Sequence, residues 1–463
     1  MFIGRAKELD KLNKMHNSDR FEFAVIFGRR RVGKTTLIRE FIKGKNSIFF
    51  VASESTALDN LASLSRCIGG GHNAPVYRDY ESAFASIFSK AENEQLVFVI
   101  DEYPYLAESF RGISSVLQIL IDHKKEHSKL MLILCGSSMS FMENQVLGYQ
   151  SPLFGRRTAQ FKIMPFSFFE SLPFFGTFGK ADKADKADKA VLYGITGGIP
   201  DYLAKLDPAK SVDDNIIDLF LTPSGHLFEE PSNLLKQELR EPATYNVIIE
   251  AIASGASRLN EIATKCGIES NKCAKYLKSL MSLGIVKKEL PITETSSKKS
   301  IYLLDDLMFR FWYRFVFPNM SGIVSGLGRA VYDHEVAENL SAYMGLVFED
   351  ICKQYMIEEA KKNALPFFTG RAGRWWGNNP NERRQEEIDI LAYHKDSALF
   401  CECKWTNASV DSNILDDLEA KSSLFSYENK WFWLFAKTGF TDKLIHEAEK
   451  RGNVRLIKFE DML

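Results

Sequence analysis

The chain of 463 residues is narrowed first by what it has little of. No apolar run approaches the roughly 18–20 residues that a membrane-crossing helix needs, so no membrane partner is expected. The amino terminus is charged from Arg5 onward and has no apolar core of the secretory kind, so no signal peptide is expected. Neither sign of charge is in excess: 59 Lys and Arg face 60 Asp and Glu, a net charge of −1. That excludes a protein held on nucleic acid by bulk charge and leaves room only for a local basic face. The seven cysteines are odd in number and form no paired Cys-x-x-Cys brackets, which excludes the usual zinc spacing. Free thiols in a reducing compartment are the simplest reading, and the location expected is the cytoplasm. With 45% hydrophobic and 26% charged residues, the chain is neither disordered nor fibrous. Its length predicts about three domains.

What is present is order of a legible kind. Apolar strands at 23–27, 47–51, 95–100, 129–134 and 157–163 alternate with helical patterns near 34–43, 56–66, 80–91 and 113–127. Such alternation predicts a parallel five-stranded sheet with right-handed crossovers. The third and fourth strands, apolar on both faces, are expected at its centre. A Lys-Ala-Asp repeat over 180–190 has no apolar stripe and reads as a solvated helix or loop. Helices at 243–254, 258–266 and 271–283, followed by strands at 286–290 and 300–304, describe a winged helix, with Gly267 at the tight turn. An aromatic linker helix over 306–318 precedes a final α/β unit. The expected domains are therefore 1–178, 179–240, 241–318 and 319–463.

Gly28-Arg29-Arg30-Arg31-Val32-Gly33-Lys34-Thr35 fits G-x-x-x-x-G-K-[ST] after a strand and before a helix. Glycines let the backbone wrap phosphates, and the helix N-terminus presents aligned N–H groups. This predicts ATP as ligand, with Lys34 on the β- and γ-phosphates, Thr35 on Mg²⁺ and Thr36 as a weaker contact. The strand 96–100 ends in Asp101 and Glu102. Asp101 is expected to hold Mg²⁺, and Glu102 to act as general base, which favours hydrolysis over mere nucleotide holding. The fourth strand ends at Gly136-Ser137, where a hydroxyl either senses the γ-phosphate or caps a helix. One strand separates the two motifs in sequence, a pattern that resembles the additional-strand class of P-loop ATPases.

Three further stretches extend the likeness. They are Gly4-Arg5-Ala-Lys-Glu8-Leu9, Pro152-Leu-Phe-Gly155-Arg156-Arg157-Thr158 and Thr196-Gly197-Gly198-Ile-Pro200-Asp-Tyr202-Leu. Together with the loop they resemble the archaeal-type, AAA+/STAND-like ATPase family over roughly residues 1–320. The resemblance implies that Gly4 and Arg5 lie near the adenine. It implies that Arg156 and Arg157 bring positive charge to the γ-phosphate, in cis or from another subunit, so a homo-oligomer is one expectation. A surface pair bound to acidic neighbours is the alternative. It also implies that Gly198 and Pro200 set a helical lid against the base, a plain turn being the alternative.

In the winged helix, Lys272, Lys275, Lys278, Lys287, Lys288, Lys298 and Lys299 are candidates for DNA phosphates. A protein-interaction module is the competing reading. In the last unit, Glu349 sits on an amphipathic helix, Asp389 on one strand, and Glu402 and Lys404 on the next. Alternation along that strand puts Glu402 and Lys404 on one face and Cys401 and Cys403 on the other. The set resembles the PD-(D/E)xK restriction-endonuclease-like core. It implies a second Mg²⁺ or Mn²⁺ on Glu349, Asp389 and Glu402, with Lys404 orienting water. The alternative is a fold kept for interaction, its charges merely paired. Arg371, Arg374, Trp375 and Trp376 suit either a nucleic-acid backbone or packing. The expected protein is thus an ATPase switch with a DNA-cleaving effector, or a nucleotide-regulated DNA- or protein-binding module that cuts nothing.

Overall fold

The computed structural model describes residues 2–71, 74–176, 186–296, 299–380 and 382–463. The chain divides into two compact units, one of Met1–Pro165 with Ile199–Asp201, the other of Phe166–Gly198 with Tyr202–Leu463.

In the first unit, β1 (Glu22–Phe27), β2 (Ser47–Val51), β3 (Leu96–Asp101), β4 (Leu130–Gly136) and β5 (Ala159–Lys162) form one parallel sheet in the order β2-β3-β4-β1-β5. Helices α1 (Ala6–His16), α2 (Lys34–Ile42), α3 (Ala57–Gly69), α4 (Tyr80–Asn93), α5 (Tyr103–Ser109) and α6 (Ile113–Lys124) flank it. Helix starts carry their own signals: Thr56 caps α3, and Asp79 caps α4 in a reciprocal box with Ser82. Phe23, Val25 and Phe27 of β1 share a core with Phe84 and Phe88 of α4 and Leu117 of α6.

The sheet is of the additional-strand class expected: β4 lies between β1 and β3 in space. The reason is hydrophobic: β4 is buried at every position, whereas β2 alternates and ends exposed at Val51, a pattern suited to an edge. Because the strands are parallel, β1, β3 and β4 deliver Gly28, Glu102 and Ser137 to the same sheet edge, where α/β sheets bind ligands.

In the second unit, the end of the Lys-Ala-Asp repeat opens helix Lys186–Thr196, while 180–185 lie outside the described residues. Helices Pro242–Ala253, Leu259–Cys266 and Ser270–Ser282 precede the antiparallel pair β6 (Val286–Glu289) and β7 (Ile301–Leu304), as a winged helix requires. Gly267 closes the second helix at φ +65°, the left-handed conformation of a tight turn. The aromatic stretch that follows is buried; Trp312 donates its indole N–H to the Phe228 carbonyl at 2.6 Å.

The helix that carries Glu349 spans Ala337–Lys361. Then come β8 (Arg371–Asn379), β9 (Arg384–His394), β10 (Ser397–Lys404), helix Ser412–Ser422, β11 (Asn429–Ala436), helix Asp442–Lys450 and β12 (Val454–Lys458). The sheet runs β12-β11-β10-β9-β8, antiparallel from β8 to β10 and parallel from β10 to β12. Among the described residues no helix is long and apolar enough to cross a membrane.

Candidate active site

The loop between β1 and α2 is built on close approaches. A Cβ at Gly28 would lie 2.3 Å from the Ile163 carbonyl oxygen, so only glycine lets the chain leave the sheet there. Gly33 takes φ +89° immediately before α2. The first turn of α2 then presents main-chain N–H groups that have no partner within the helix. Lys34 is buried, and its ammonium donates to the Gly28 and Arg29 carbonyls at 2.9 Å each, which holds it across the loop. Arg5, buried at φ 60°, donates to the carbonyls of Val32, at 3.2 Å, and Met164. The Gly4-Arg5 segment thereby braces the phosphate loop. Arg30 donates to the Tyr105 hydroxyl at 3.1 Å, and Arg31 lies 3.9 Å from Asp201. Pro200 stands beside Gly33, its Cγ 3.7 Å from where a Cβ would be. Thr36 is exposed.

Gly198 belongs to the other unit. There its carbonyl accepts the Phe166 N–H at 2.8 Å, and a Cβ would lie 2.0 Å from the Phe166 carbonyl oxygen. This close approach accounts for that glycine.

The Thr35 hydroxyl donates to Asp101 Oδ2 at 2.8 Å. Asp101 Oδ1 accepts the Glu102 main-chain N–H at 3.0 Å. Two hard oxygens side by side at the mouth of a phosphate loop fit Mg²⁺, which takes one or two protein oxygens and completes its shell with phosphate and water. Glu102 holds φ 52°, ψ 44°, the left-handed region that non-glycine residues seldom adopt. Its carboxylate accepts the Ser137 hydroxyl, 3.0 Å from Oε2 and 3.3 Å from Oε1. The hydroxyl is thus engaged by Glu102, and the residue at the start of the short following helix is Ser138. Behind the carboxylates, burial pushes the Cys135 thiol well up, helped by the Asp101 charge.

Arg156 is bound twice to Asp122 on α6, Nε to Oδ1 at 2.9 Å and Nη2 to Oδ2 at 2.6 Å, and donates further to the Pro152 carbonyl. This is the acidic-neighbour alternative for Arg156. Arg157 is half-buried beside it.

The second unit gathers the other predicted set. The β9–β10 ladder ends at Cys401↔Ile390. Just past that fork, Asp389 Oδ2 accepts the Cys403 main-chain N–H at 2.8 Å. Glu402 Oε1 accepts Lys404 Nζ at 2.6 Å, while buried Oε2 has no hydrogen bond and lies 3.7 Å from Lys421 Nζ. Burial and the Glu402 charge push Asp389 up to about 7; burial and the Asp389 charge push Glu349 up to about 8. Burial opposes charge on Lys404, but Glu402 and Asp389 outweigh it and its pKa rises. The three carboxylates therefore form one electrostatically linked row. Cys401 and Cys403 are buried, as expected, with Cys401 Sγ 3.6 Å from Met356 Sδ. Among the described residues no preformed cluster of three or more His, Cys, Asp or Glu side chains is set to hold a metal. Trp375 packs on Phe425, ring centroids 4.9 Å apart, and Arg374 pairs with Glu387, so this pair serves packing and charge balance.

Of the winged-helix lysines, Lys272, Lys275 and Lys278 are exposed opposite buried Cys273, Leu277 and Leu280. Lys287 is corrected: it points inward, 3.4 Å from Asp305 and 3.8 Å from Asp350. Lys299 pairs with Glu294, and Lys298 lies outside the described residues. Sequence reasoning missed Asp122, Tyr105, Lys421 and Asp350. None stands in a motif, and each acts through a partner distant in sequence.

Comparison with known proteins agrees with this geometry. Residues 2–206 match a family described as an ATPase domain predominantly from Archaea. Residues 312–415 match one described as archaeal and bacterial proteins of unknown function. An uncharacterized protein of Methanocaldococcus jannaschii is 34% identical over 475 residues, covering 100% of both chains. Among solved structures, the Walker-type ATPase of Pyrococcus abyssi matches with a TM-score of 0.52 at 19% identity, over 68% of this chain and 96% of that one. The ORC2 protein of Aeropyrum pernix matches with a TM-score of 0.42 at 13% identity, over 70% and 94%.

Proposed function

The chain belongs to the archaeal-type P-loop ATPase family, and on that premise we propose that it hydrolyses ATP with Mg²⁺ to drive a conformational switch. The observation that carries this reading is one sheet edge holding Lys34, the Thr35–Asp101 pair and the Ser137–Glu102 pair together. Main-chain N–H groups from Gly28 to Thr35 cradle the phosphates, and Lys34 turns from its loop carbonyls to the β- and γ-phosphates. Thr35 and Asp101 hold Mg²⁺, which neutralises charge on the phosphate oxygens when bound. Glu102 takes the proton of the attacking water, and Ser137 fixes where that carboxylate points. Arg157, rather than the Asp122-bound Arg156, supplies positive charge to the γ-phosphate, in cis or from a neighbouring copy. The test is steady-state hydrolysis: Lys34→Ala abolishes nucleotide binding, whereas Glu102→Gln still binds ATP and loses roughly 10²–10⁴-fold in kcat. Wild-type turnover in Lys34→Ala sinks the reading.

For the C-terminal unit we propose metal-dependent cleavage of DNA phosphodiesters. Glu349, Asp389 and Glu402 offer hard oxygen ligands to Mg²⁺ or Mn²⁺. The Oε2 of Glu402, buried and without a hydrogen bond, and the Asp389 carboxylate beside the Cys403 N–H are the oxygens that would hold the cation. Lys404 orients the water. Cleavage of supercoiled DNA with Mg²⁺ or Mn²⁺, lost in Lys404→Ala, is the test. The second reading, a module that binds DNA and cuts nothing, rests on the exposed face of Lys272, Lys275 and Lys278. Cleavage in no condition, with ATP hydrolysis intact, favours it. The seven free cysteines support a cytoplasmic location.

A further inference from the structure

Between the winged helix and the C-terminal sheet lies a cavity of about 260 Å³ with Glu349 and Asp389 in its wall. One side of the wall comes from the winged helix: the end of helix Pro242–Ala253, Lys287 of β6 and Leu303 of β7, with Arg310 beyond; the other side adds Asp350 and Lys353 of helix Ala337–Lys361 and Arg374 of β8. Glu349 and Asp389 are half-buried there, and the winged-helix residues cover them from one side.

The closure has specific fastenings. Ile292, in the segment joining β6 to β7, donates its main-chain N–H to the Arg374 carbonyl at 3.0 Å. The acceptor sits at the irregularity between Gly373 and Trp375, where the β8–β9 register shifts and an edge carbonyl turns outward. The Tyr393 hydroxyl donates to the Ile292 carbonyl at 3.3 Å, and the Ile292 side chain rests on Gly373. Lys287 and Arg310 both reach Asp350, the neighbour of Glu349, at 3.8 Å.

The ion-pair fastenings are slack. Both ion pairs to Asp350 are beyond hydrogen-bond length, and Arg310 Nη1 is buried without a hydrogen bond. A charged cavity is also unlike the close packing of a permanent core and like the polar interfaces across which domains move.

We propose that the winged helix is a lid latched over Glu349 and Asp389 by Ile292 on β8 and by Lys287 and Arg310 on Asp350, so that DNA gains full access to these two carboxylates only when the lid opens. This rests on the nuclease reading and adds its regulation. Closed, the lid keeps a metal-dependent phosphodiesterase silent; open, it uncovers the site together with Lys287 and Arg310, two cations then free for phosphate.

The geometry offers a direct test. A Cβ at Gly373 would lie 3.5 Å from the Ile292 Cβ, within the roughly 3.5–4.5 Å that a disulfide spans. Full-length Ile292→Cys/Gly373→Cys is assayed on DNA with Mg²⁺ or Mn²⁺ and ATP, oxidised and reduced, beside the oxidised Ile292→Cys single variant. The expected result is cleavage at least tenfold slower when oxidised, restored by reductant, and unaffected by oxidation in the single variant. Equal cleavage in both states of the double variant overturns the lid. If wild type and reduced protein cut nothing, the nuclease reading falls, and hydrogen exchange in the wild type judges the lid alone. Ile292 and β8 amides exchanging through an opening cheaper than global unfolding support it. Amides that exchange only with the helix Pro242–Ala253 core overturn it.

Discussion

Ser137 donates its hydroxyl to the Glu102 carboxylate across the ends of two neighbouring strands, 3.0 Å from Oε2. A base must point at its water, and this bond fixes the carboxylate of a residue already held in a left-handed conformation. Ser137→Ala is therefore expected to lower kcat about tenfold with little change in KM, since positioning rather than binding is lost. The two residues act as a unit, so Ser137→Ala/Glu102→Gln is expected to be no slower than Glu102→Gln alone. Independent, multiplying losses would show that the bond has no part in turnover.

Lys34 closes on the loop carbonyls, and its ammonium is the group proposed to meet the phosphates. Lys34→Ala is expected to erase stabilisation by ATP. Wild type at a ligand concentration of 100 Kd gains about 2.7 kcal/mol by linkage. Thermal melts with and without ATP–Mg²⁺ measure this gain.

At Gly28 the restriction is steric. An added Cβ meets a main-chain oxygen at 2.3 Å, and backbone cannot move aside as a flexible side chain would. Gly28→Ala is expected both to destabilise the first unit and to lose nucleotide binding. Gly44→Ala makes a useful contrast: its φ is +71°, but nothing lies within 4 Å of the new Cβ, so it costs stability without touching the nucleotide. Melts and nucleotide titrations of both variants separate the effects.

Much of this was legible in the sequence because the signals are local. A phosphate loop is a run of contiguous residues, and buried parallel strands read as unbroken apolar stretches, so the sheet, Lys34, Thr35, Asp101 and Glu102 could be named beforehand. The winged helix was equally visible through Gly267 and its helix lengths. Partnerships were not. Nothing around Arg156 announces Asp122, and nothing around Lys287 announces Asp350, because each pair is made by packing between elements distant in sequence. Part of the strand order was legible as well: β3 and β4 read as apolar on both faces and lie inside the sheet, whereas β2 lies at its edge.

The two arginines after Gly155 separate by their partners. Arg156 has its guanidinium taken by Asp122 in a two-bond pair and by a main-chain carbonyl, an arrangement that fixes the 152–158 segment to α6. A guanidinium so engaged cannot reach a phosphate without breaking a charge-assisted fork. Arg156→Ala is therefore expected to lower the melting temperature, and Asp122→Ala to do the same. Arg157→Ala is expected to leave the melt unchanged and to reduce kcat. If Arg157 acts from a neighbouring copy, mixing Arg157→Ala with Glu102→Gln protein restores part of the hydrolysis, because one of the two kinds of hybrid site pairs an intact Arg157 with an intact Glu102. Hydrolysis that rises on mixing and scales with protein concentration establishes the shared site. Hydrolysis that stays at the level of the separate variants assigns Arg157 to its own chain.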